Sequence, residues 1–298
     1  MEKLNRREAL QKGGRLALGG AVCAAWTSLT LGCANEEKIM AAARELGKKI
    51  QPVDLEKLKI TIIYDNNPYK QELRTDWGFS CLIEGLDATI LFDTGRYDTI
   101  FMSNLTRLGI DGGKIGTVFL SHEHQDHVGG LQTFLEARRD RKVYVPQSFT
   151  GGIKKMAASQ GAAVVDVADP VMVTRNCLSS GEMRSVVKNE HSLVIDTTHG
   201  LMVITGCAHP GICDIVERSL KLVNKKVLMV LGGFHLGMNS DGSIRKIAAR
   251  FQEMGVRYVG PTHCTGQLAQ RIFQQVYGDR YLSCGAGRII HGEDLCRI

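Results

Sequence analysis

The chain has 298 residues, 44% of them hydrophobic and 23% charged, with a formal net charge of +6. That composition excludes wholesale disorder and suffices for one large core or two small ones. Half of the excess charge lies in residues 1–33, where Lys3, Arg6, Arg7, Lys12 and Arg15 oppose only Glu2 and Glu8; the remainder carries no basic stripe, so no nucleic-acid partner is expected.

Residues 1–33 read as an export signal of the twin-arginine type. Asn5-Arg6-Arg7-Glu8-Ala9-Leu10 precedes a small-residue, modestly apolar run from Leu16 to Gly32, shorter than the ~20 residues a spanning helix needs. Leu29-Thr30-Leu31-Gly32-Cys33 resembles a lipoprotein cleavage box, with Cys33 as the acylated residue. The expected location is periplasmic, or anchored through Cys33 on the outer side of the cytoplasmic membrane. Residues 34–57 are polar and charged and read as a linker with a short helix; residues 58–298 read as one catalytic domain.

Strands are predicted over 59–64, 79–84 and 88–92, a helix over 98–108, and a short buried strand over 117–120. In the second half, 192–196 and 201–205 form a hairpin across Thr198-His199-Gly200. Helices follow at 210–223, 242–253 and 266–276, separated by strands at 227–231 and 256–259. Strand groups alternating with helices in two similar halves predict an α/β fold of two packed sheets with helices outside. Residues 137–190 are expected to contribute to the rim of the pocket. Seven cysteines follow residue 33, an odd number with no disulfide-scaffold spacing.

The chemistry concentrates in His122-Glu123-His124-Gln125-Asp126-His127, directly after a strand. Four metal-competent side chains in six residues are rare in a core or a surface loop. In extended backbone His122 and His124 point to one side and reach one ion. A helix starting there aims Asp126 and His127 at a second, and Gly129-Gly130 permits close backbone approach. Imidazole and carboxylate suit zinc, iron or manganese. Thr205-Gly206-Cys207-Ala208-His209-Pro210-Gly211, Leu231-Gly232-Gly233-Phe234-His235 and Pro261-Thr262-His263-Cys264-Thr265-Gly266 each place a histidine at the end of a strand, where rigid sheets present functional groups. His191, His199 and His291 lack that setting and read as ordinary residues. Cys207 and Cys264 flank these histidines and read as packing residues, with ligation through a soft sulfur as the alternative.

With Leu91-Phe92-Asp93-Thr94-Gly95 and the strand-end histidines, the HxHxDH run resembles the metallo-β-lactamase superfamily over nearly all of 58–298. Gly78-Phe79-Ser80, Leu82-Ile83-Glu84, the stretch from Gly206 to Ile212, Gly232 to Leu236 and His263 to Gly266 narrow it. They resemble the archaeal 7,8-dihydropterin-6-methyl-4-(β-D-ribofuranosyl)aminobenzene-5′-phosphate synthases and their bacterial relatives. The resemblance implies an αββα sandwich of two mixed β-sheets flanked by helices. It implies His122, His124 and His209 around a first metal ion and Asp126, His127 and His263 around a second, with Asp93 orienting the site from behind. The strand end that supplies a bridging aspartate elsewhere in the superfamily here reads Gly232-Gly233-Phe234-His235, which leaves one or two divalent ions, zinc foremost, as the expected cofactor.

The expected activity is hydrolysis of a small ester, lactone or phosphoester by metal-bound hydroxide. Asp126 would orient the nucleophile and accept its proton, and His235 would face the substrate. Two alternatives stay open: a dihydropterin-type transferase, which export disfavours because such substrates are cytoplasmic, and a metal-dependent binding protein without turnover.

Overall fold

In a computed structural model, residues 41, 42 and 44–296 are described; the export signal and the proposed lipid attachment at Cys33 lie outside the described residues. Two sheets lie face to face. The first is built from β1 (Lys59–Asp65), β2 (Phe79–Glu84), β3 (Ile90–Phe92), β4 (Thr117–Phe119), β5 (Lys142–Pro146), β6 (Ala163–Val167) and β13 (Ile289–His291). Its order is β13-β1-β2-β3-β4-β5-β6, antiparallel as far as β3 and parallel from there. The second comprises β7 (Val171–Thr174), β8 (Cys177–Ser179), β9 (Leu193–Thr197), β10 (Gly200–Thr205), β11 (Val227–Gly233) and β12 (Tyr258–Thr262). Its order is β12-β11-β10-β9-β8-β7, with β10, β11 and β12 parallel and the others antiparallel.

Alternation along each strand sorts its side chains between two environments. Phe79, Cys81 and Ile83 of β2, with Met202 and Ile204 of β10, enter the apolar layer between the sheets. Leu82 faces outward into a layer formed with α1 (Asp98–Arg107), α3 (Leu131–Glu136) and α4 (Gly151–Ser159). Val203 faces outward into the corresponding layer of α5 (Ile212–Val223), α6 (Asp241–Glu253) and α7 (Gln267–Tyr277). The result is the predicted four-layer αββα sandwich, with mixed sheets inside and helices on both flanks.

Packing begins ahead of Leu58. Val53 pairs with Thr197, and Leu55 is fully buried in the layer between the sheets, so the end of the segment read as a linker belongs to the core. The segment 137–190 supplies both sheet strands and contacts to the histidine-bearing loops. It contributes β5 through β8, and β6 and β7 form the outer edges of the two sheets. It meets the histidine-bearing loops at Thr150, whose N–H donates to Glu123, at Ser185, whose Oγ donates to the His209 carbonyl, and at Lys188 and Glu190. The seven cysteines among the described residues are all free, and no helix among those residues is long and apolar enough to cross a membrane.

His191 shows how the two sheets are tied. Its ring stacks on Phe119 at 4.0 Å, with Nε2 2.8 Å from the Leu120 carbonyl and Nδ1 2.9 Å from Ser179 Oγ. Burial disfavours its charged form and lowers its pKa from 6.5 to about 3, against the opposing pull of the Leu120 carbonyl. The unfolded chain takes up a proton below 6.5 that the native ring refuses down to about 3. The contribution of this residue is therefore complete above pH 6.5 and is lost as pH falls toward 3. His191→Phe keeps the ring but removes the titration and the hydrogen bonds. Denaturant melts at pH 7.5 should show it less stable than wild type by about 1–3 kcal/mol, with the gap shrinking as pH falls; a gap constant with pH would refute this account.

Candidate metal centre

The C-terminal ends of β1, β3, β4, β10, β11 and β12 lie along one edge of the sandwich, where α/β sheets place ligands. Each is followed by a loop that carries polar side chains: Asn66, Asp93, His122 to His127, Cys207 and His209, His235, and His263. Two trios of donor atoms result, each within a 4.8 Å span: His122, His124 and His209, and Asp126, His127 and His263. These are the six residues the resemblance assigns to two ions.

The spacing in the second trio fits a metal better than it fits hydrogen bonding, and that in the first fits either. His122 Nε2 lies 3.1 Å from His124 Nδ1, and Asp126 Oδ2 lies 3.5 Å from His127 Nε2 and 3.3 Å from His263 Nε2. Two nitrogen donors on one tetrahedral zinc stand about 3.3–3.4 Å apart. His263 Nε2 is buried without a hydrogen-bond partner, so it and Asp126 aim at a shared point rather than at each other. An orphaned buried nitrogen in such a cluster fits the donor set of a cation site.

Groups behind the donors fix their orientation. Asp93 is fully buried; Oδ1 accepts the Ser121 N–H at 2.7 Å, and Oδ2 lies 2.7 Å from both Ser121 Oγ and His127 Nδ1. Thr94 N–H donates to the His127 carbonyl at 2.7 Å, which clamps the loop onto the end of β3. A Cβ on Gly129 would stand 1.9 Å from the Arg96 carbonyl oxygen; only glycine lets α2 (Gln125–Val128) seat this deeply. At the second strand cluster, Asn66 Oδ1 lies 2.8 Å from His263 Nδ1.

Glu190, which no sequence pattern singled out, does the same for the opposite loop. One of its oxygens accepts the N–H groups of Gly206, Cys207 and Ala208, each at 3.0 Å; the other accepts the His209 N–H and lies 3.1 Å from His209 Nδ1. A lone glutamate ahead of a strand gives no local signal, because its partners lie 16–19 residues further on. Trp77 was also missed: it is half exposed, with its ring 4.9 Å from that of His263.

The neutral His122 and His124 and the ionised Asp126 and Glu190 suit a bound cation, whereas His127 must give up a proton to ligate one. Burial keeps His122 and His124 neutral, with the neighbouring imidazoles acting in the same sense. Burial alone would raise Asp126, but His127 and His263 outweigh it and hold the carboxylate far below its usual range. Burial would raise Glu190 too, yet His209 and the loop N–H groups hold it at about 2. Burial opposes charge on His127, while Asp93 and Asp126 outweigh it and lift the ring to about 10. His235 lies at the exposed mouth, its ring 4.6 Å from that of His209 and its backbone left-handed at φ 52°. It groups with Cys207 and His209 rather than with either trio.

The sequence from 78 to 218 matches a family model described as the metallo-β-lactamase superfamily. Two proteins of the archaeon Methanocaldococcus jannaschii are similar along most of their lengths. One is a 7,8-dihydropterin-6-methyl-4-(β-D-ribofuranosyl)-aminobenzene-5′-phosphate synthase, 27% identical over 278 residues, covering 77% of this chain and 95% of the synthase. The other, an uncharacterized protein, is 30% identical over 253 residues, covering 74% of this chain and 96% of its own length. Among solved structures, a metal-dependent hydrolase of the β-lactamase superfamily is similar with a TM-score of 0.66 and 28% identity, covering 78% of this chain and 98% of its own. A metallo-β-lactamase fold protein from Bacillus subtilis, at TM-score 0.59 and 16% identity over 78% of this chain and 99% of its own, shares the fold.

Elemental analysis of protein purified without added metal should find two equivalents of a divalent metal per chain. Asp93→Asn keeps the shape but weakens the acceptor behind His127, and should lower affinity in the second trio about 10- to 100-fold. Chelator competition measures this; unchanged affinity would mean that Asp93 only holds the backbone.

Proposed function

This chain belongs to the metallo-β-lactamase superfamily, and from that premise we propose that it is a metal-dependent hydrolase of small esters, lactones or phosphoesters. The observation that carries the reading is the pair of donor trios, one of three imidazoles and one containing an anionic carboxylate, converging on one open edge. A divalent ion bound there would supply Lewis acidity and lower the pKa of a coordinated water from 15.7 to about 7.

The side chains supply the rest. His122, His124 and His209 would hold the first ion, and Asp126, His127 and His263 the second. Asp126, whose side chain is 15% exposed, orients the attacking water and takes its proton at a carboxylate oxygen. His235, exposed beside His209, hydrogen-bonds the acceptor group of the substrate. The face of Trp77 gives the apolar part of a substrate a surface beside His263. Zinc fits this set of nitrogen and carboxylate donors, with iron or manganese as the competing occupants.

One observation favours a second reading: the similarity to the synthase spans 95% of that protein, which supports transfer of a dihydropterin from its diphosphate to an aryl-ribofuranosyl phosphate, with diphosphate leaving. A substrate panel separates the two. Metal-dependent cleavage of phosphoesters or lactones supports the hydrolase, whereas turnover only with a dihydropterin diphosphate and an aryl-ribofuranosyl phosphate supports the transferase. A metal-loaded protein inert to both would be a binding protein. Asp126→Asn should lower kcat about a hundred- to ten-thousand-fold, and full activity in a metal-free His122→Ala/His263→Ala double variant would overturn the reading.

We further propose twin-arginine export, supported by the order of Arg6-Arg7, the apolar run and Cys33. In cell fractionation, a double Arg6→Lys, Arg7→Lys variant should remain cytoplasmic, and Cys33→Ser should move exported protein from the membrane to the soluble fraction; membrane retention of Cys33→Ser would refute the lipid anchor.

A further inference from the structure

Cys207 is 4% exposed, and its Sγ lies 3.2 Å from His127 Nε2. With the His122 and His127 donors it forms one group within 4.8 Å, with His209 and His235 a second, and with His263 and Cys264 a third. Its sulfur is thus within reach of donors from both trios. Asp126 reaches only His127 and His263, so no carboxylate among the described residues shares that position.

The backbone explains why the sulfur stands there. A Cβ on Gly233, at the end of β11, would meet the Gly206 carbonyl oxygen at 2.5 Å, Cys264 Sγ at 2.6 Å and Cys207 Cα at 3.3 Å. The space that a side chain on this strand end would need is filled by the loop carrying the thiol. Glu190 grips that loop at consecutive N–H groups, and Ala208 follows with left-handed backbone at φ 61°. The sulfur is therefore held by fixed backbone.

We propose that Cys207 is itself a metal ligand, its thiolate set between the two ion positions; this rests on the metal-centre reading above. The S–H bond breaks, the sulfur electron pair forms the bond to the ion, the proton leaves to solvent, and no electron is transferred. A sulfur at about 2.3 Å and a nitrogen at about 2.0–2.1 Å from one tetrahedral zinc stand about 3.5 Å apart, within a few tenths of an ångström of the observed 3.2 Å. A soft sulfur donor biases the centre toward zinc and away from manganese or magnesium.

X-ray absorption at the zinc edge of the full, zinc-loaded wild-type chain should show a sulfur shell at about 2.3 Å beside nitrogen and oxygen. The cobalt-substituted protein should show a sulfur-to-cobalt charge-transfer band that is lost in Cys207→Ser and kept in Cys264→Ser. The second zinc equivalent should bind at least roughly tenfold more weakly to Cys207→Ser, since loss of even an outer-shell partner costs that much. Bound zinc with nitrogen and oxygen scattering alone overturns the proposal, even where the variant fails to fold. Loss of the band in Cys264→Ser alone also overturns it. A wild-type chain that binds no metal would instead remove the metal-centre reading itself, so the two failures are distinguishable.

Discussion

The site depends on two buried carboxylates, each satisfied by a loop that it also organises. An unpaired carboxylate in a protein interior costs several kcal/mol, so Asp93 and Glu190 are stable only where donors surround them. Asp93 receives Ser121 N–H and contacts Ser121 Oγ and His127 Nδ1; Glu190 receives four successive N–H groups and contacts His209 Nδ1. Burying each anion and shaping each histidine loop are therefore one event. Each half of the molecule has the same arrangement, a carboxylate behind an imidazole whose far nitrogen faces the centre, and this fixes ring orientation before any ligand arrives.

Convergence on one edge strains the backbone. Among the described residues, six non-glycine positions have left-handed backbone, and four of them, Asp93, Ala208, His235 and His263, belong to this centre. Such conformations cost on the order of 1–3 kcal/mol each, and they persist because the strands beneath them cannot move. Phe92 and Phe119 stack at 5.4 Å directly below Asp93 and the histidine loop, and His191 stacks on Phe119 from the other sheet. Close packing between the sheets thus offsets the strain above it.

The histidine loop and most regular elements were legible because both are local. The six residues from His122 to His127 carry their meaning in spacing alone, and the helices over 212–223 and 267–277 announce themselves by a clear apolar face. β6 through β8 were illegible for a physical reason: Val171–Thr174, at a sheet edge, is only half buried and Cys177–Ser179, its inner neighbour, is three residues long, so neither shows a full alternation. β13 is as short. Glu190 was hidden differently, and Cys207 stood beside an expected ligand with packing and ligation both open. The role of Glu190 exists only once a distant loop offers its N–H groups, and that of Cys207 only once Gly233 leaves room for it.

Charge ties these elements together. Two divalent ions would bring four positive charges into a largely buried region, where uncompensated charge is costly. Asp126 touches the donor atoms directly, while Asp93 and Glu190 stand one imidazole away; together they supply three negative charges. A thiolate at Cys207 makes the fourth, so the protein's own charges match those of two divalent ions, whereas a protonated thiol leaves them one short. Glu190 closes this balance twice over, as an anion behind His209 and as the anchor of the loop that delivers the sulfur. The strand end that carries no carboxylate is then consistent with charge balance, because the neighbouring loop brings a negative charge to the same place.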